Sequence, residues 1–255
     1  MKKTILLTVI SFMSQLWAST GDRVQVFTKD FPYICKVLIM KEDKPKVASI
    51  CSGTLLSPTK ILTARHCKPK NNNAPVIVEC NGQVSAMLKW SNYLGVDDPS
   101  TDMAMITLAF PIKGDLMWLA SDRKHASELL KRNDCYIMGY GKKEILEDPA
   151  AETEFNAVRL QQASFEALNL SKEFLDIFGQ IESKQFVVSG STSLALSGDS
   201  GGPVVCRGQR GFYQVAVHSF GSLESELNIN VWAPDFSASV HTSPALPWIK
   251  RVISE

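Results

Sequence analysis

The sequence predicts an all-β protein built from antiparallel strands. Short apolar runs alternate with turn residues along most of the chain, and only two stretches carry a helical apolar stripe. No alternation of strands and helices of the parallel α/β kind is visible. At 255 residues the chain is long enough for one large domain or two compact ones.

Taken in order, Met1-Lys2-Lys3 and the apolar run 4–13 read as a secretory signal. The start is basic, the run is too short to span a bilayer, and small residues Ala18 and Ser19 flank the expected cut. Residues 33–40 and 76–80 are apolar strand candidates. Residues 50–56, the turn Ser57-Pro58-Thr59 and residues 61–64 read as strand, turn and strand. Val204-Val205-Cys206, the glycines at 208 and 211, and residues 212–217 read as a hairpin. Ser171 caps one expected helix, whose Phe174, Leu175, Ile177 and Phe178 share a face. Pro247 begins the other, with Trp248, Ile249, Val252 and Ile253 as its stripe.

Charge excludes some functions. The 27 basic and 26 acidic residues leave a formal charge of +1, and loss of Lys2 and Lys3 with the leader takes it just below zero. No basic excess points to nucleic acid, and no second apolar run points to a membrane once the signal is removed. Six cysteines, all beyond the leader, suit an oxidising compartment, hence a secreted or periplasmic protein. No Cys-x-x-Cys occurs, and adjacent His66 and Cys67 cannot aim both side chains at one ion, so no metal and no cofactor is expected.

The chemistry concentrates in Leu196-Ser197-Gly198-Asp199-Ser200-Gly201-Gly202-Pro203. A serine hydroxyl attacks only when a base takes its proton, and the oxyanion it creates needs N–H donors nearby. Gly198 lets the main chain turn tightly enough to aim its own N–H and that of Ser200 at one point. Gly198-x-Ser200-x-Gly202 also fits the nucleophile elbow of α/β-hydrolases, with Asp235 and His241 as partners in the right chain order. Against that reading, only a short stretch follows Ser200 and no βαβ alternation precedes it.

Upstream, Thr63-Ala64-Arg65-His66-Cys67 follows an apolar stretch, and Asp102-Met103-Ala104-Met105-Ile106 opens a strand, so the order is His66, Asp102, Ser200. With Cys51-Ser52-Gly53-Thr54-Leu55-Leu56, Cys135-Tyr136-Ile137-Met138-Gly139-Tyr140-Gly141, Leu160-Gln161-Gln162-Ala163 and Val217-His218-Ser219-Phe220-Gly221, these blocks make the chain resemble a chymotrypsin/trypsin-type serine protease, an exported member of bacterial type, from residue 32 to about 253.

The resemblance implies two antiparallel six-stranded β-barrels with the active site in the cleft between them, plus a C-terminal helix. It divides the chain into a signal peptide at 1–18, a candidate pro-segment at 19–23, a first barrel at 24–125 carrying His66 and Asp102, and a second at 126–255 carrying Ser200. The polar stretch 120–134 crosses between them. It implies Ser200 as nucleophile, His66 as base and Asp102 as the group that orients the imidazole. Gly198 and Ser200 supply the oxyanion hole, and Asp199 is the carboxylate that meets a freed N-terminus. Ser219, Phe220 and Gly221 form the strand that receives substrate backbone, with Leu194 and Ala195 in the pocket. Disulfides Cys51–Cys67 and Cys135–Cys206 follow from the same resemblance; Cys35 and Cys80 are left to pair between neighbouring strands.

The implied function is an exported serine endopeptidase, expected as a monomer, that acts on proteins or peptides and is itself activated by a protease. Leu194 stands where trypsin-like members carry aspartate, so cleavage is expected after apolar residues. Arg65 beside His66, and the absence of an Ile-Val-Gly-Gly start, keep open a second class: a protease homologue that binds or regulates without turnover.

Overall fold

The structure, a computed structural model of the whole chain, describes residues 23–24, 28–42, 44–94, 101–141, 155–164, 186–190, 197–222 and 236–255. The expected signal peptide, residues 19–22 of the candidate pro-segment and the helix expected after Ser171 lie outside the described residues.

Six strands close the first barrel: β2 (Ile34–Lys41), β3 (Lys44–Ser57), β4 (Lys60–Thr63), β5 (Val76–Cys80), β6 (Gln83–Asn92) and β7 (Ala104–Leu108), in the order β2-β3-β4-β7-β6-β5. Strand period explains which residues fill it. On β5, Val76, Val78 and Cys80 are buried while the residues between them are only partly so. Ile34, Val37, Leu55, Ile61, Leu62, Met105 and Ile106 complete the interior. Cys35 and Cys80 sit directly opposite each other in the β2–β5 register and are bonded.

A second set of strands follows: β9 (Cys135–Gly139), β10 (Asn156–Ser164), β11 (Phe186–Gly190), β12 (Pro203–Gly208), β13 (Gly211–Ser222) and β14 (Phe236–His241). Their pairings run β10-β11-β14-β13-β12-β9, and β9 pairs back onto β10. The expected hairpin is β12–β13, and Cys135 is bonded to Cys206 across β9 and β12. Short β1 (Arg23–Val24) adds to β10, and β8 (Trp118–Leu119) runs parallel to β13.

One helix escaped the sequence reading. The stretch read as a polar crossing holds α1 (Arg123–Leu130), capped by Asp122, whose carboxylate accepts the His125 N–H at 2.8 Å. Its buried face, Ala126, Leu129 and Leu130, has helical spacing but only three apolar members among charged ones. The expected terminal helix is α2 (Leu246–Ser254), with Trp248, Ile249 and Val252 buried. It packs back onto the first barrel, where Trp248 meets Tyr93 at 5.4 Å between ring centroids. That contact fastens the end of the chain to the barrel that carries His66 and Asp102.

Candidate active site

β4 ends at Thr63, and the chain enters a single 3-10 turn, Arg65–Cys67. Cys67 is bonded to Cys51 on β3, so the turn carrying His66 is fixed to the barrel wall. In the chain-entropy model a loop of this size stabilises the fold by about 3 kcal/mol. Asp102 lies just before β7, the strand beside β4. Those two strand ends bring His66 and Asp102 together.

Their geometry is specific. The His66 backbone N–H donates to Asp102 Oδ1 at 2.8 Å, and its ring Nδ1 lies 2.6 Å from Asp102 Oδ2. An ionised carboxylate only accepts, so Nδ1 carries a proton, and in the neutral imidazole it is Nε2 that holds the lone pair. The imidazole is 44% exposed and the carboxylate 6%, so the ring faces solvent while the charge beside it is sealed in. Burial alone would raise the Asp102 carboxyl. The hydrogen bonds and charge of His66, with the Ser219 hydroxyl, outweigh it and hold the group below its usual range.

Ser219 belongs to β13, so the second strand set reaches this carboxylate. Its hydroxyl donates to Asp102 Oδ2 at 2.5 Å. A register shift between His218 and Phe220 marks a bulge there, the device that re-aims a side chain beside a site. Phe220 and Gly221 continue β13, while Leu194 and Ala195 lie outside the described residues.

Ser200 sits in the turn that leads into β12. Its carbonyl accepts the Ser52 N–H at 2.7 Å and lies 3.7 Å from Cys67 Sγ, one residue from His66. On its other side Gly201 N–H donates to His218 O, and His218 N–H to Gly202 O, both at 2.8 Å. Gly198 adopts φ +107, which only glycine takes readily, and a Cβ there would press on the Tyr140 carbonyl. Asp199 is wholly buried, and its Oδ1 accepts the Gly141 N–H at 2.7 Å. A Cβ at Gly141 would overlap that carboxylate, so the close approach requires glycine. Arg23 and Val24, where a cut was expected, pair with Val158 and Ala157 of β10.

Three participants had no clear signal in the sequence. Ser52 is buried inside a strand, where a lone serine reads as packing. Gly141 closes the block that begins at Cys135 and had no role assigned to it from the sequence. His218 is buried within β13, its ring 3.4 Å from Ser239 Oγ. Burial, then the nearby His66, push its pKa down to about 3, and Asp102 offsets part of this. Cys51, His66 and Cys67 cluster closely enough to suggest a metal, but both sulfurs are spent in the disulfide and neither can act as a thiolate ligand.

The family model described as Trypsin matches residues 22–249. The chain belongs to the trypsin family. Chymotrypsin-C of Bos taurus is 28% identical over 188 residues, 68% of each chain. Chymotrypsin-like elastase family member 3A of Homo sapiens is 25% identical over 225 residues, 80% of this chain and 78% of its own. This trypsin-family protein is a serine endopeptidase, a hydrolase whose substrates are proteins or peptides. Its three disulfides suit an extracellular or secreted protein.

Proposed function

We propose that this protease is exported and cleaves peptide bonds through Ser200, His66 and Asp102. The observation that carries the reading is the 2.6 Å contact between His66 Nδ1 and a buried Asp102, which leaves Nε2 as the base. Ser200 Oγ attacks the scissile carbonyl while His66 Nε2 takes its proton. The N–H groups of Gly198 and Ser200 receive the oxyanion, and Asp102 stabilises the imidazolium. His66 then protonates the leaving amine, and water repeats the sequence on the acyl-enzyme.

Labelling with a fluorophosphonate probe tests this directly. A single adduct at Ser200 in a protein that hydrolyses peptides is expected; a folded protein without that adduct is a binding homologue instead.

Specificity is the finer part of the proposal. A leucine at 194 offers no charge to a substrate lysine or arginine, and burying that cation unpaired costs several kcal/mol. A peptide-library digest read by mass spectrometry is expected to show cuts after apolar residues. Predominant cuts after Lys or Arg would overturn this assignment of Leu194.

The mature N-terminus is the remaining part. A cut after Arg23 by another protease would free Val24 to reach Asp199, but would divide β1, in which Arg23 and Val24 both pair with β10. Asp199 already accepts one backbone N–H, from Gly141. These two observations favour a mature chain that keeps Arg23, with signal removal at Ser19 as the maturing step. Edman sequencing of active enzyme is expected to begin at Ser19. A start at Val24, with an Arg23→Gln variant secreted but inactive, would establish a pro-segment instead.

A further inference from the structure

Ser52 belongs to β3, on the far side of the catalytic turn from the substrate strand, and is fully buried. Every polar atom it owns is engaged. Its N–H donates to the Ser200 carbonyl at 2.7 Å, and its carbonyl accepts the Thr63 hydroxyl at 2.7 Å. Its hydroxyl accepts the Tyr140 N–H at 2.8 Å and donates to the Gly198 carbonyl at 2.8 Å. A serine hydroxyl has one proton, so this arrangement fixes where that proton goes. One residue of the first barrel thus holds the carbonyls on both sides of Asp199.

We propose that Ser52 is a positioning residue for the oxyanion hole: its buried hydroxyl holds the Gly198 carbonyl and its N–H the Ser200 carbonyl, so that the turn between them keeps the Gly198 and Ser200 N–H groups pointing at the same place. The inference rests on the reading of those two N–H groups as the oxyanion donors.

The physical need comes from Gly198. A glycine at φ +107 has several backbone conformations within easy reach, so this stretch has little stiffness of its own. Ser52 Oγ–H on its carbonyl and Ser52 N–H on the Ser200 carbonyl oppose that rotation from both ends. The Gly141 N–H on Asp199 Oδ1 fixes the residue between them. Replacing Ser52 by alanine leaves the Tyr140 N–H and the Gly198 carbonyl buried without the hydroxyl between them. The loop then gains by turning toward other partners. Oxyanion donors act on charge that exists only in the transition state, so their misplacement lowers kcat and leaves substrate binding nearly unchanged.

The test compares parent, Ser52→Ala, Ser52→Gly and Thr63→Val, with kcat and KM expressed per site titrated by the fluorophosphonate, so that unfolded molecules do not count. Ser52→Ala is expected to lose about tenfold to a hundredfold in kcat with KM nearly constant. A peptide aldehyde, whose tetrahedral adduct carries the oxyanion, should lose affinity by a similar factor. Ser52→Gly, which leaves room for a water between the same two groups, should retain more kcat than alanine. Thr63→Val removes a hydrogen bond from the Ser52 carbonyl rather than from its hydroxyl, and should lower Tm without the loss in kcat.

Parental kcat in Ser52→Ala, a change confined to KM, or an equal fall in Thr63→Val would overturn the role of Ser52 while leaving the nucleophile in place. A parent protein that takes no label would overturn the underlying reading itself.

Discussion

Ser200→Ala is expected to lower kcat for peptide hydrolysis by about a millionfold, the scale seen when a nucleophile is removed from a Ser-His-Asp site. The substitution deletes one oxygen from a partly exposed side chain, and the anchors of the turn are backbone groups. The Ser200 carbonyl still accepts from Ser52, and Gly201 and Gly202 still pair with His218. Secretion and Tm should therefore stay at parental values, which separates lost chemistry from lost fold. Asp102→Asn makes a second point at the same site. Its carboxamide nitrogen would face His66 Nδ1 as a donor and force the proton onto Nε2, removing the base, at a loss of about ten-thousandfold. Single-turnover hydrolysis of a fluorogenic peptide beside a thermal melt reads both variants. An alanine variant that cleaves near the parental rate would remove Ser200 from the mechanism.

The sequence carried the barrels well where one face of a strand is apolar and a turn marks its end. Residues 50–56 and 61–64 became β3 and β4 because Ser57-Pro58-Thr59 breaks the run between them. It carried Cys35 and Cys80 because two apolar stretches needed a neighbour each, and register then placed the sulfurs opposite. It failed at α1, whose three buried side chains are too few to stand out from eight mostly polar residues. The chemistry-bearing types were legible as blocks, since Ser, His and Asp in local glycine and cysteine settings are distinctive together. The residues that support them were not. Ser52 meets Gly198 and Tyr140 from 146 and 88 positions away, Gly141 meets Asp199 from 58, and His218 meets the turn after Ser200 from another strand, so no local pattern reports these partners. The Asp102 to Ser219 hydrogen bond belongs to the same class: it exists because a bulge on β13 turns one hydroxyl toward a strand end of the other barrel.

Stability should fall steeply with acid, by a route set by two buried histidines. His218 and His241 are both almost wholly inaccessible, and burial pushes each pKa from an ordinary 6.5 down to about 3. For His218 the charge of His66 adds to this and Asp102 opposes it; for His241 the added charge is that of Arg123. The sign follows from which state binds protons. Below pH 6.5 the unfolded chain protonates both imidazoles while the folded chain keeps them neutral, so each withdraws about 1.4 kcal/mol per pH unit. The contribution is whole above the unfolded pKa and is lost as pH falls toward the folded one. Near pH 4 the loss is about 3 kcal/mol for each, against a net stability of about 5–15 kcal/mol for an ordinary domain. Urea unfolding of the Ser200→Ala protein, chosen to prevent self-digestion, should show this slope between neutral pH and about pH 4. Replacing one histidine by a residue that does not titrate, as in His241→Gln, should halve the slope even if it lowers stability at neutral pH. A pH-independent unfolding free energy across that range would mean that the two imidazoles are already protonated in the fold, paired with acids that hold their charge.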